Sequence, residues 1–146
     1  MKHGDPLLLA WQTTISHRGN DAAIYDSSGS IARSFRDIEE HARAFEDRMG
    51  SLLPGTVVAV QIGNHEGWPG IFIGCLRKQL VVLPLDQSMG QQQRDVALEI
   101  CRAGVLVSAV LGESSPQVVR LMTTDTTPDW GENIPSLLKL TSGTTA

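Results

Sequence analysis

Val57-Val58-Ala59-Val60-Gln61-Ile62 is the stretch that sets the fold. β-branched residues run through it without the in-out alternation of a half-solvated strand, which is the pattern of a strand covered on both faces. Leu80-Val81-Val82-Leu83-Pro84-Leu85 repeats the texture and stops at Asp86. Between the two, Trp68, Ile71, Phe72, Cys75 and Leu76 fall on one helical face, and Pro69 should kink that helix or delay its start. Gly90 to Ala103 reads as a further helix with Gly104 as its C-cap, and Val105 to Val110 as a third strand. Strand, helix, strand, helix, strand at this spacing calls for right-handed crossovers and a parallel sheet. The expected class is therefore α/β, a mainly parallel sheet with helices on both faces. Val118 to Met122 reads as one more strand.

Towards the N-terminus, Asp5-Pro6 supplies an N-cap and a first-turn proline, with Leu8, Trp11 and Ile15 on one face and Gly19 as the stop. Ala22 to Asp26 and Ser30 to Ser34, joined by Ser27-Ser28-Gly29, form a hairpin pattern. Ser34-Phe35-Arg36-Asp37 is a capping-box pattern. It opens a helix with the apolar stripe Phe35, Ile38, Ala42, Phe45 and Met49, and Gly50 ends it. Glu39, Glu40, Arg43, Asp47 and Arg48 are read as its solvated face. Past Pro54-Gly55 the texture changes. The organisation expected is a helix, hairpin and helix lead-in over 1–55, a βαβαβ unit over 56–110, a strand and polar connection over 111–136, and a strand with its loop over 137–146.

The chain has 146 residues and a formal net charge of -4, enough for one domain core and without the basic footprint that nucleic acid requires. Leu7-Leu8-Leu9-Ala10 is too short for a signal-peptide core, and no apolar run approaches spanning length. Cys75 and Cys101 are isolated and read as reduced, half-buried helix residues, which suits the cytoplasm. His65-Glu66 opens like a zinc H-E-x-x-H, but Pro69 occupies the place of the second histidine, so no metal ligands are expected.

The last stretch, Leu137-Leu138-Lys139-Leu140, reads as a short buried strand feeding Thr141-Ser142-Gly143-Thr144-Thr145. Four hydroxyls and a glycine after a strand suit a phosphate cradle, because turn amides point inward and glycine lets the backbone approach the ligand. A frayed polar tail is the alternative reading. No Walker loop, G-x-G-x-x-G or G-x-S-x-G occurs in the chain.

Three blocks together resemble the adenylate-forming enzymes, the superfamily of acyl-CoA synthetases, peptide-synthetase adenylation domains and luciferases. Ser34-Phe35-Arg36-Asp37-Ile38 is similar to their [ST]-[YF]-x-[ED]-[LI] helix opening. Cys75 to Asp86 is similar to C-L-[KR]-A-G-[AG]-x-x-x-P-[LV]-[DN], and Thr141 to Thr145 to the start of T-S-G-[ST]-T-G-x-P-[KR]. Gln79 departs from the pattern at what is read as a packing position, and Ala146 stands where the signature has glycine. The x-P-[KR] that completes the signature does not occur within residues 1–146.

The resemblance implies the N-terminal portion of the family's large, AMP-binding domain. It implies an enzyme that uses ATP and Mg2+ to turn a carboxylic acid into an acyl-adenylate, then transfers the acyl group to the thiol of coenzyme A or a carrier protein. Thr141, Ser142, Gly143, Thr144 and Thr145 would hold phosphate, with no catalytic acid, base or nucleophile and no metal ligand among residues 1–146. Thr144 in place of serine leans towards acyl-CoA ligases over peptide-synthetase domains. The expectation is an incomplete domain, inactive alone, weak in ATP binding and prone to self-association through uncovered apolar surface. A small non-catalytic α/β binding module is the competing reading.

Overall fold

Local chemistry starts the first two helices where the sequence says it should. In the computed structural model, which describes residues 4–121 and 127–141, the elements run in this order. They are α1 (Pro6–Arg18), β1 (Ala22–Tyr25), β2 (Ile31–Ser34), α2 (Phe35–Met49), β3 (Val57–Gln61), α3 (Trp68–Arg77), β4 (Val81–Pro84), α4 (Gln91–Ile100), β5 (Ala103–Ser108) and β6 (Gln117–Arg120). Asp5 Oδ1 accepts the Leu7 amide at 2.8 Å and caps α1. Ser34 and Asp37 exchange both bonds of a capping box at α2, whose stop at Gly50 takes φ +55°. Accepting the Ser34 backbone and hydroxyl bonds holds the Asp37 carboxyl below its usual range. Pro69 is the second residue of α3, where no helical amide is needed, so it delays the start and does not kink the helix.

The chain divides into two compact units, Met1–Gly50 with Glu66–Arg77 and Ser51–His65 with Lys78–Ala146. In the first, Leu8 and Trp11 of α1 and Ala23 and Ile24 of the hairpin pack against Ile38, Ala42 and Ile73. Helices α2 and α3 approach closely because α3 carries glycines at the contact: a Cβ on Gly74 would lie 3.1 Å from the Ala42 carbonyl oxygen. The stripe of α2 is buried as expected at Ile38, Ala42, Phe45 and Met49. Glu39 is not on a solvated face. It is buried, with its carboxylate bonded to Arg77 Nη2 at 2.8 Å and to Trp11 Nε1 at 3.4 Å. Arg77 also reaches Glu46 at 3.4 Å, so α3 closes an ion-pair network that the helical periodicity of α2 alone does not reveal.

The second unit holds the sheet, in the order β4-β3-β5-β6. β3 pairs parallel with β4 and β5, and β6 pairs antiparallel with β5. The mainly parallel sheet of the sequence reading is there, with its last strand reversed. Every residue of β3 is buried. On one face Val57, Ala59, Val81, Leu83 and Leu106 pack with Ala97 and Leu98 of α4, while Val58, Val60, Val82, Val105 and Val107 on the other face are fully buried too. Each such Val or Leu contributes roughly 1.5–3 kcal/mol, which makes this sheet the energetic centre of the unit.

Four local expectations are corrected. α4 ends at Ile100 with Cys101 as its cap, and Arg102 takes the left-handed turn at φ +52°. Gly104 therefore lies inside β5, where a Cβ would come within 2.8 Å of Thr56 Cγ2; it is needed for strand approach and not for capping. Gln79 is exposed at φ +56°, so its departure is conformational and not a packing change, with a strain of about 1–2 kcal/mol. Cys75 is fully buried, which pushes its thiol up to about 12, and the half-buried Cys101 sits past the helix end.

Candidate functional site

The C-terminal edge of the parallel strands is where an open α/β sheet gathers its ligands. Here the chain passes from β3 to β4 on one side, then back across β3 to β5, so the crossovers reverse direction between β3 and β5. Gln61 and Ser108 are paired at that point. Gln61 is a buried polar side chain at the end of an otherwise apolar strand. Its Nε2 donates to the carbonyls of Asp86 at 2.9 Å and Met89 at 3.0 Å, and its Oε1 accepts from Arg94 Nη1 at 3.3 Å. Among the described residues Arg94 Nε finds no hydrogen-bond partner, and it stands 4.0 Å from the Asp95 carboxylate.

These bonds fix the turn after β4. Asp86 folds back on that turn, its Oδ1 accepting from the Ser88 amide at 2.8 Å and the Ser88 hydroxyl at 2.6 Å. The hydroxyl bond first, and then the amide, keep the Asp86 carboxyl below its ordinary range. The residue after β4 that ended the second sequence block is thus a loop-stabilising carboxylate. Gln61 was not singled out from the sequence, although one polar residue closing a run of five buried positions is a readable signal.

The terminal stretch lies alongside β4. Leu137 forms an isolated parallel bridge with Val82, carried by Val82 N to Ser136 O at 3.0 Å and Leu138 N to Val82 O at 2.8 Å. This is one bridge and not a buried strand: Leu138 packs on the core, while Leu137 and Leu140 are 51% and 38% exposed. The bridge is parallel and joins the second residue of β4. Thr141 is the last described residue and is exposed. Ser142, Gly143, Thr144 and Thr145, like Ala146, lie outside the described residues.

In the first unit an open groove of about 570 Å³ is lined by Glu39, Arg43, Glu46 and Arg77, with Gln12 and Ser16 of α1. Its carboxylates and guanidinium groups are spent on one another, which suits a structural network.

Solved structures supply the match for this arrangement of elements. VinN in complex with 3-methylaspartate is 18% identical, with a TM-score of 0.63 over 73% of this chain and 30% of its own. The fold is that of the N-terminal part of adenylate-forming enzymes. A benzoate CoA ligase from Burkholderia xenovorans LB400 is also 18% identical, with a TM-score of 0.60 over 68% of this chain and 20% of its own. A four-domain nonribosomal peptide synthetase, AB3403, bound to AMP and glycine, gives 18% identity and a TM-score of 0.63 over 77% and 9%. The chain thus spans less than a third of the length of each of these proteins. No protein-family model matches the sequence, and none of the curated proteins does. Among the described residues no helix is long and apolar enough to cross a membrane.

Proposed function

We propose that this chain contributes the N-terminal portion of an ATP-dependent acid-activating ligase of the acyl-CoA ligase type. Thr141, Ser142, Gly143, Thr144 and Thr145 are its phosphate-holding loop, following a lead-in over 1–55, a βαβαβ unit over 56–110 and a connection over 111–136. The observation that carries the reading is the parallel bridge between Leu137 and Val82. A chain running alongside β4 heads for the C-terminal edge of the sheet, and the residues that follow it are the T-S-G-T-T of a phosphate signature. The ligases and the synthetase among the structural neighbours support the same class of chemistry.

In this reading a carboxylate oxygen of the acid attacks the α-phosphorus of ATP and the bond to the β-phosphate breaks. The products are an acyl-adenylate and pyrophosphate. The sulfur of coenzyme A then attacks the acyl carbon, AMP departs, and the thiol proton passes to solvent. Hydroxyl and amide donors of residues 141–145 stabilise charge on the leaving pyrophosphate by preorganisation, with Mg2+ sharing that load. They position the nucleotide and transfer no proton. Thr144, where serine is the alternative in the signature, is the sequence feature that favours an acyl-CoA ligase over a peptide-synthetase adenylation domain.

The test is acid-dependent exchange of labelled pyrophosphate into ATP, measured on the enzyme that carries this chain with a panel of carboxylic acids. Exchange that requires one class of acid is the expected result. Exchange absent with every acid contradicts the reading.

A further inference from the structure

Among the described residues, few bonds hold the connection ahead of Thr141 to its unit. The single bridge at Val82 contributes two backbone hydrogen bonds. Trp130 Nε1 donates to the Gly55 carbonyl at 2.8 Å. Trp130, Ile134 and Leu138 are half-buried against the sheet core. Gly55 is required twice over: it takes φ +89°, and a Cβ there would come within 3.0 Å of Trp130 Cδ1. The central strand β3 is bonded on both sides and fully buried, so its opening needs the whole sheet to come apart.

We propose that residues 127–141 form a latch that opens and recloses as a unit while the sheet stays folded, with Trp130 on Gly55 as its fastening. Among the described residues, opening it breaks three hydrogen bonds and uncovers three side chains that are only half-buried, a small cost beside global unfolding. Closing it sets Thr141 beside β4 at the C-terminal edge. Trp130 is then a positioning residue for the terminal loop, and this last step rests on the phosphate reading of 141–145.

The sheet provides its own reference for the test, amide exchange of the whole chain followed by NMR. Val82 N and Leu138 N make the bridge, whereas Val81 N and Leu85 N, on or next to the same strand, donate to the Thr56 and Val60 carbonyls on the β3 side. The bridge amides are expected to exchange faster than those of Val81 and Leu85. Trp130→Phe, which keeps the ring and removes the donor, should speed the bridge amides about fivefold, the worth of one neutral hydrogen bond, and leave the reference amides unchanged. Equal rates in the unaltered chain, or a Phe variant that speeds all four amides alike, overturns the latch. Inorganic pyrophosphate at saturating concentration should slow the bridge amides. If it has no effect while Trp130→Phe still acts selectively, the latch stands and the phosphate reading is overturned.

Discussion

Leu83→Ala is expected to destabilise the sheet-bearing unit by about 3–4 kcal/mol. Leu83 is fully buried, paired in register with Ala59, and packed in the face formed by Val57, Val81 and α4. The void left by three side-chain carbons, a methine and two methyls, has little prospect of closing. Its neighbours across the ladder are fixed by the parallel pairing, and Ala59 and Ala97 are too small to reach into it. The cost thus belongs in the middle or upper part of the usual range for a large-to-small core change. Urea denaturation followed by circular dichroism reads it directly, and a loss under about 1 kcal/mol would show that the site collapses or that Leu83 is not packed in the core.

Arg77→Leu comes next, at about 2–3 kcal/mol. The figure is set below that for a fully buried pair because the Glu39 and Arg77 side chains keep 11% and 24% of their exposure. Removal of Arg77 strips the Glu39 carboxylate of its shortest partner while Ile38, Ala42 and Phe45 continue to exclude water around α2. What remains is the long bond from Trp11 and Arg43 at 3.9 Å. Most of the loss is therefore the desolvation of a stranded charge and not the worth of the pair. The double variant Glu39→Leu with Arg77→Leu should recover more than half of it, since two apolar groups need no partner. Urea denaturation of the single and double variants decides the matter. If both lose the same amount, the pair is valued for packing and not for charge.

Sequence carried the architecture further than it carried the site. The β-branched runs at Val57 and Val81 identify buried parallel strands because the pattern depends only on burial, and the capping box at Ser34 depends only on residues three apart. What escaped depends on partners far along the chain. Glu39 looks like any carboxylate on a charged helix face until Arg77 arrives from α3. Gly104 looks like a helix stop until Arg102 is seen to take the left-handed position before it. Leu137 to Leu140 looks like a core strand, but among the described residues it pairs only at Val82, and two of its three leucines are exposed. Trp130 sits in a connection without periodicity, and its role appears only with Gly55 opposite. The edge residue Gln61 was visible as a lone polar side chain, yet its three partners come from the turn after β4 and from α4.

The proposal that matters most is that the hydroxyl-rich stretch beyond Leu140 holds phosphate. Titration of the 15.8 kDa chain with ATP, followed by amide shifts in a 15N-labelled sample, addresses it residue by residue. The account predicts shifts gathered on Thr141, Ser142, Gly143, Thr144 and Thr145 and on the turn of Asp86 and Ser88, with an affinity weaker than micromolar. Shifts absent from those amides at millimolar ATP, or gathered instead on the groove beside Glu39 and Arg77, would contradict it.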